Sequence, residues 1–217
     1  LLESRGLGDV YKRQDRYLAL MASEILRKNK SRKIVYDIKC SNQLGQVIKE
    51  NNGTPIMTKT GHSYIKSEIS KSNAILGGEM SGHIFYNDNW YGFDDGIFAA
   101  LKLLEILSSK ESTTHEVFNK FTQLFNTPEI KIAVEDEEKF EIVEQLKVKL
   151  KPEGYDSILI DGLRLENKDC WGLVRASNTT PSLILRFEAN TEQKLMEIQE
   201  LFQKTLLEIN KNLKFLN

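Results

Sequence analysis

Residues 34–79 read IVYDIKCSNQLGQVIKENNGTPIMTKTGHSYIKSEISKSNAILGGE and determine the fold of the first half of the chain. Strand-like segments rich in β-branched residues alternate here with helix-like segments, in the order 34–40, 42–50, 55–60, 63–71 and 74–79. This alternation favours a parallel or mixed α/β sheet. Ligands of such sheets bind at loops beyond the carboxyl ends of the strands. The residues that follow each strand are therefore the candidates for a site.

The pattern continues on both sides of this stretch and changes near residue 129. A helix is predicted from Asp15, a short strand at 84–86 and an apolar helix at 94–107. Strand-like runs are then predicted at 129–134, 157–160, 170–175 and 183–187. A helix is predicted at 138–150, between the first two of these runs, and a long helix at 195–209 ends the chain. Consecutive strands flanked by helices indicate a small α+β domain with an antiparallel sheet.

The predicted fold class is therefore α/β, with two domains. A mixed α/β sheet domain covers 15–112, a linker covers 113–127, and the α+β C-terminal domain covers 128–217. Residues 1–14, LLESRGLGDVYKRQ, start without Met and show neither helical nor strand periodicity. We interpret them as a non-native leader and expect the natural protein to continue upstream.

Composition excludes several classes of function. Among the 217 residues, 30 Lys and Arg nearly balance 31 Asp and Glu, and no basic stripe is present, so nucleic acid is not an expected partner. No apolar run is long enough to cross a membrane. Cys40 and Cys170 lie far apart in apolar runs without metal-ligand spacing, and we expect buried thiols and a cytoplasmic location.

Two loops carry residues suited to a phosphorylated sugar. Gly77-Gly78-Glu79-Met80-Ser81-Gly82-His83 places a carboxylate, a hydroxyl and an imidazole among three glycines, which suits vicinal sugar hydroxyls, although a tight turn explains the same residues. Arg175-Ala176-Ser177-Asn178-Thr179-Thr180-Pro181 offers a guanidinium and hydroxyls to a phosphate, although a hairpin turn is the alternative.

Other polar residues divide into candidates and structural residues. Lys39 ends a buried-looking strand, where an unpaired ammonium would be costly, so it faces a ligand or an acidic neighbour. His62 is either an acid/base group or a hydrogen-bonded structural residue. His115 is expected to be exposed, and Asp94-Asp95 is interpreted as a helix cap.

Taken in order, the motifs YDIKC, TKTGHSYIK, GGEMSGHIFY, WYGFDDG and GLVRASNTTPSLILRFEA resemble the third and fourth domains of the α-D-phosphohexomutases. The resemblance is greatest to the bacterial phosphomannomutase/phosphoglucomutase branch. It implies that Glu79 and Ser81, with His83 beside them, bind hexose hydroxyls. It also implies that Lys39 and His62 contact the substrate or assist proton transfer, and that the non-transferred phosphate is bound by four residues of one loop: Arg175, Ser177, Asn178 and Thr179.

The resemblance further implies a reaction that moves phosphate between the C1 and C6 oxygens of a hexose. The family uses a phosphoserine, a bisphosphate intermediate and Mg²⁺ held by an aspartate-rich loop. The sequence contains neither the serine loop nor the metal loop, and we interpret Asp15-Arg16 as a helix start rather than the end of the metal loop. No residue is therefore assigned to metal, and the chain is expected to be inactive without the missing N-terminal domains of the same protein.

Two alternatives remain open. One is a fragment of a phosphoglucosamine mutase, which performs the same chemistry on an amino sugar. The other is a stand-alone phosphosugar-binding module that never had a catalytic half.

Overall fold

The computed structural model describes residues 14–29 and 32–215, which divide into two compact units between Thr122 and Gln123. The interpretation of residues 1–13 as a leader lies outside the described residues. Gln14, which that interpretation also included, is the first residue of a helix.

The first unit contains five helices and four strands among its described residues. In chain order they are α1 (Gln14–Lys28), β1 (Lys33–Asp37), α2 (Asn42–Glu50), β2 (Thr54–Thr58), α3 (His62–Ser72), β3 (Leu76–Gly78), β4 (Ile84–Tyr86), α4 (Gly96–Ser108) and α5 (Thr114–Asn119). The sheet has the order β2-β1-β3-β4. β1 runs parallel to β2 and β3, whereas β4 is antiparallel to β3. The carboxyl ends of β1, β2 and β3 therefore lie at one edge.

Side chains alternate between the two faces of this sheet, and helices cover both. Ile34 and Tyr36 of β1 pack into the core formed with α1, α2 and α4. Val35 points to the other face and packs against Ile65 and Ile69 of α3. The unit is thus a three-layer arrangement of helices, sheet and helix.

In its described residues, the second unit is an antiparallel sheet with two helices on one face. Its elements are β5 (Phe125–Asn126), β6 (Ile130–Ala133), α6 (Glu138–Lys149), β7 (Asp156–Ile158), β8 (Leu163–Glu166), β9 (Cys170–Ala176), β10 (Ser182–Ala189) and α7 (Glu192–Ile209). The strand order is β5-β10-β9-β8-β7, with β6 also paired to β10. The core between sheet and helices includes Leu165, Val174, Leu185, Leu146 and Phe202.

The predicted fold class is confirmed: a mixed α/β sheet is followed by an α+β unit with an antiparallel sheet. The strand β8 was not among the predicted elements, and two of its four residues, Arg164 and Glu166, are charged. Arg164 is in fact fully buried, with its guanidinium carbon 3.8 Å from the ring centroid of Trp171, where a cation is attracted to the ring face.

The segment 113–127, predicted as a linker, contains helix α5. Thr113 and Glu116 form a reciprocal capping box at its start, and Val117 and Phe118 are buried in the core of the first unit. The polar residues around 110–114 that suggested a linker are therefore the capping region of a packed helix. His115 is exposed, as expected.

None of the helices in the described part of the chain is long and apolar enough to cross a membrane.

Candidate functional site

Polar residues gather at the sheet edge where β1, β2 and β3 end. We name them the strand-end cluster: Asp37, Lys39, Thr60, His62, Glu79, Ser81 and His83. Every candidate predicted in the first unit belongs to this cluster, because parallel strands bring the loops that follow them to the same edge.

Asp37 is fully buried at the end of β1 and joins the three loops. Its Oδ1 accepts hydrogen bonds from the backbone N of Met80 at 3.0 Å and from Sγ of Cys40 at 3.1 Å. Its Oδ2 accepts one from Oγ1 of Thr60 at 3.0 Å. Hydrogen bonds to a charged acceptor are stronger than neutral ones, so Asp37 holds the loops in fixed relative positions. Sequence reasoning treated it only as a strand residue; the available signal was a carboxylate at the end of an apolar run, which needs donors when buried.

Glu79 follows β3 directly and connects two loops. Its Oε1 accepts a hydrogen bond from the backbone N of Gly61 at 3.0 Å, and its Oε2 accepts one from Oγ of Ser81 at 2.9 Å. An ionised carboxylate has about four lone-pair sites. Glu79 therefore keeps capacity to accept further hydrogen bonds, such as those from sugar hydroxyls, while its own position is fixed.

Two of the three glycines in this stretch serve the packing of the sheet, and the third makes a turn. Gly77 and Gly78 lie inside β3, where added Cβ atoms would come within 2.7 Å of Ile69 Cδ1 and within 2.9 Å of Leu18 Cδ2. They allow α3 and α1 to pack closely on the sheet rather than opening backbone to a ligand. Gly82, which has a φ of 98°, makes the turn itself.

Lys39 and His62 differ in burial: Lys39 is buried and His62 is exposed. The buried Lys39 lies in the turn after β1. His62 is the exposed first residue of α3 and follows Gly61, whose backbone Glu79 holds. The exposed imidazole is accessible to a ligand at this edge.

His83 has an acidic neighbour that sequence reasoning assigned elsewhere. Its Nδ1 lies 2.7 Å from Oδ2 of Asp94, an arrangement that becomes an ion pair when the imidazole is protonated. Asp95 caps α4, because its Oδ1 accepts a hydrogen bond from the backbone N of Phe98 at 2.9 Å. The capping interpretation is thus confirmed for Asp95, whereas Asp94 orients His83.

In the second unit, Arg175 lies at the end of β9 with its side chain buried. Its Nε donates a hydrogen bond to Oδ2 of Asp161 at 2.8 Å. Its Nη2 is also buried, and none of the described residues accepts a hydrogen bond from it. A buried donor without an acceptor costs about 1–3 kcal/mol, and an anion can supply the missing acceptor.

Gly162 makes the contact between Asp161 and Arg175 possible. Gly162 has a φ of 87°, and a Cβ there would come within 2.2 Å of the carbonyl oxygen of Val174. Only glycine lets the turn between β7 and β8 lie this close to β9. Neither Asp161 nor Gly162 was predicted, since their importance depends on which strand their turn contacts.

The loop between β9 and β10, residues 177–181, is held by its own hydroxyls. Oγ of Ser177 accepts hydrogen bonds from the backbone N of Thr180 at 3.1 Å and from Oγ1 of Thr180 at 2.8 Å. Ser177 is buried, whereas Asn178 and Thr179 are exposed. The structure thus places Ser177 as the support of the loop and presents Asn178 and Thr179 at its tip. We name Arg175 together with residues 177–181 the arginine loop.

No three His, Cys, Asp or Glu side chains come together as a metal site within residues 14–29 and 32–215. Mg²⁺ requires several oxygen ligands in near-octahedral geometry. Asp37 and Glu79 instead bind N–H, O–H and S–H donors. The described residues therefore do not fit the Mg²⁺ site that the resemblance implies for the complete enzyme.

Comparison with known proteins assigns both units. A family profile described as "Phosphoglucomutase/phosphomannomutase, alpha/beta/alpha domain III" matches residues 13–125. A second, described as "Phosphoglucomutase/phosphomannomutase, C-terminal domain", matches residues 129–204. The chain belongs to the phosphoglucomutase/phosphomannomutase family.

Individual relatives agree with the two profiles. The phosphomannomutase/phosphoglucomutase of Pseudomonas syringae pv. tomato is 47% identical over 195 residues, which are 90% of this chain and 42% of the relative. The phosphoglucomutase of Neisseria meningitidis serogroup A is 47% identical over 201 residues, which are 92% of this chain and 43% of the relative.

A solved structure gives the same result for the fold. The crystal structure of a phosphoglucomutase/phosphomannomutase family protein from Burkholderia thailandensis matches with a TM-score of 0.87 at 38% identity, over 94% of this chain and 43% of that one. The chain thus spans about two-fifths of the length of these relatives.

Proposed function

We propose that this chain is the sugar- and phosphate-recognition half of a hexose phosphate mutase. The complete protein would interconvert hexose 1-phosphate and hexose 6-phosphate through a phosphoserine and a bisphosphate intermediate. Membership of the family supports this proposal. The names of the two relatives described above favour glucose and mannose over an amino sugar as the hexose.

One observation carries the phosphate half of the proposal: the buried guanidinium of Arg175 has a donor that the described chain leaves without an acceptor. Asp161 fixes the other side of the same group. A guanidinium held in this way presents its fork of donors in a fixed direction, which suits the oxygens of a phosphate. Asn178 and Thr179, exposed on the same loop, would complete the phosphate contacts around Ser177.

The strand-end cluster supports the sugar half. Glu79 would accept hydrogen bonds from vicinal hydroxyls of the hexose, while Ser81 and His83 extend the polar surface beside it. Phosphoryl transfer to and from a sugar hydroxyl also needs a group that accepts and returns the hydroxyl proton. His62 and Lys39 are our candidates for that role or for direct contact with the substrate.

The remaining machinery belongs, in this proposal, to N-terminal domains of a longer protein. Those domains would carry the phosphoserine and bind Mg²⁺, whose role is to neutralise charge on the transferring phosphoryl group. The chain alone would bind hexose phosphate without turning it over. We place the protein in the cytoplasm, since its two cysteines are buried thiols rather than a disulfide.

Isothermal titration of the chain with glucose 1-phosphate tests the proposal. We expect saturable binding that Arg175→Ala weakens at least about tenfold, because a hydrogen bond to a charged group contributes about 1.5–3 kcal/mol. Arg27→Ala is the matched control, since Arg27 is an exposed arginine of α1 and its change should leave the affinity unaltered. Equal affinity in the wild-type chain and Arg175→Ala would contradict the assignment of the arginine loop.

Two further measurements test the preferred hexose and the expected inactivity of the chain alone. Titration with mannose 1-phosphate and glucosamine 1-phosphate ranks the hexoses, and tighter binding of the amino sugar would favour a phosphoglucosamine mutase. A coupled assay of glucose 6-phosphate formation should detect no turnover by the chain alone. Turnover would show that the catalytic groups are already present.

A further inference from the structure

Helix α4 is apolar on two opposite faces. Ala99 and Ile106 lie on the face that is buried in the core of the first unit. Ile97, Leu101 and Leu104, spaced i, i+4 and i+7, lie on the other face with exposed fractions of 79%, 59% and 61%. We name these three residues the α4 stripe. A helix that is hydrophobic all round is typical of the interior of a larger protein.

The α4 stripe also lacks charge. The helix contains two charged residues, Lys102 and Glu105, and they pair with each other at 2.8 Å beside the stripe. The segment before the helix adds two exposed aromatic rings, Tyr91 and Phe93, stacked with centroids 5.4 Å apart. Exposed apolar side chains grouped on one helix face, with further ones in the segment before it, mark an interaction surface rather than an ordinary solvent-facing helix.

Helix α7 shows what a solvent-facing helix of this chain looks like. Its buried side carries Ile198, Phe202 and Leu206, and its exposed side carries charged residues such as Glu197 and Lys204. The exposed face of α4 is apolar and that of α7 is charged. Since both helices belong to one chain, overall composition does not explain this difference.

We propose that the α4 stripe is the docking surface for the domain that precedes this chain in the longer protein. The relatives carry the candidate occupant in the chain that lies beyond the match, since this chain covers 42–43% of them and its first unit matches a domain described as the third. Domain interfaces within one chain bury apolar surface on both partners. The inference rests on family membership and not on the proposed sugar or phosphate contacts.

Cysteine labelling tests this surface directly, because Cys40 and Cys170 are both buried and leave a low background. Ile97→Cys is compared with Val148→Cys, an exposed residue of α6 flanked by Lys147 and Lys149. Both variants are made in the chain itself and in a full-length protein in which residues 15–217 replace the matched region of the 47%-identical relative from Pseudomonas.

We expect a maleimide to label both positions rapidly in the chain itself. In the full-length protein, labelling of Ile97→Cys should slow at least about tenfold, since the core of an interface excludes solvent, while Val148→Cys keeps its rate. Unchanged labelling of Ile97→Cys would overturn the proposal. Protection that rises with the concentration of the chain alone would also overturn it, because a second copy would then occupy the stripe.

The melting temperature of a double variant tests the docking surface independently of labelling. Leu101→Lys combined with Leu104→Lys should leave the melting temperature of the chain alone unchanged and lower that of the full-length protein. Equal shifts in both proteins would show that the stripe stabilises only its own unit and would contradict docking. Neither measurement uses catalysis or ligand binding, so its failure is distinguishable from failure of the proposed function.

Discussion

The strand-end cluster and the arginine loop differ in how fully the chain satisfies their charged groups. In the first, Asp37 and Glu79 accept hydrogen bonds from backbone and side-chain donors of neighbouring loops. In the second, Arg175 has one ion pair and one buried nitrogen that no described residue satisfies. The first cluster is therefore organised before any ligand arrives, whereas the second leaves a charged donor for a ligand to complete.

This difference corresponds to the chemistry of the two expected ligand groups. Sugar hydroxyls are neutral and both donate and accept, so they need a fixed set of partners with spare capacity. A phosphate brings charge and several acceptor oxygens, so it can satisfy a donor that the protein leaves unmet. Substitutions at residues that hold either the strand-end cluster or the arginine loop in place should show whether the two differ in this way.

The largest effect is expected from Gly162→Ala, which removes the support beneath Arg175. The new Cβ would lie 2.2 Å from the carbonyl oxygen of Val174, at a residue whose φ of 87° also disfavours a side chain. We expect the free energy of unfolding to fall by more than about 3 kcal/mol, because a backbone clash and a strained φ act together. Urea unfolding followed by circular dichroism measures it.

Gly96→Ala is the matched control for that prediction. Nothing lies within 4 Å of a Cβ at Gly96, and the residue begins helix α4. The same substitution there should leave stability unchanged or raise it by about 0.5–1 kcal/mol, since alanine favours a helix over glycine. Similar losses at both glycines would show that the contact between the β7–β8 turn and β9 is not the cause.

The role of Gly162 could not be predicted from the sequence, whereas most of the secondary structure could. The strands and helices were largely predicted, because β-branched runs and helical spacing are local signals: α2 and β4 match the predicted bounds. The strand-end cluster followed from one topological rule about parallel strands. These features depend on near neighbours in the chain or on strand direction alone.

The residues that support the site were not predicted, because each acts on a distant part of the chain. Asp161 reaches Arg175, fourteen residues away. Asp37 reaches Met80, forty-three residues away. A carboxylate at the end of an apolar run marks Asp37 as a residue that needs donors, but the local sequence identifies neither those donors nor the partner of Asp161. β8 was missed for a related reason, since its Arg164 is buried against the ring face of Trp171 in the next strand and is paired with Glu166.

The next largest effect is expected from Asp37→Ala in the strand-end cluster. It would leave three donors without their acceptor: the backbone N of Met80, Sγ of Cys40 and Oγ1 of Thr60. We expect a loss of about 2–4 kcal/mol in the free energy of unfolding, because unsatisfied buried donors cost about 1–3 kcal/mol each and solvent will reach some of them.

Asp94→Ala is the comparison for Asp37→Ala. It removes a carboxylate that pairs with His83 in a partly exposed position. Exposed ion pairs contribute about 0–1 kcal/mol, so this variant should unfold at nearly the wild-type urea concentration. If the two variants were equally stable, Asp37 would not organise the cluster, and the contrast between a preorganised and an unsatisfied cluster would fail.

A small change in stability, and the sharpest test of the comparison, is expected from replacing the ion pair of the arginine loop as a unit. Arg175→Met alone would leave Asp161 largely buried beside an apolar side chain, so it is combined with Asp161→Asn. Replacing a buried pair by neutral groups of similar size is often neutral or stabilising, and here it also removes an unmet donor. We expect unfolding within about 1 kcal/mol of wild type together with loss of glucose 1-phosphate binding in the titration. A double variant that unfolds readily would mean that Arg175 serves the fold. One that stays folded and binds ligand normally would mean that the phosphate is recognised elsewhere in the chain.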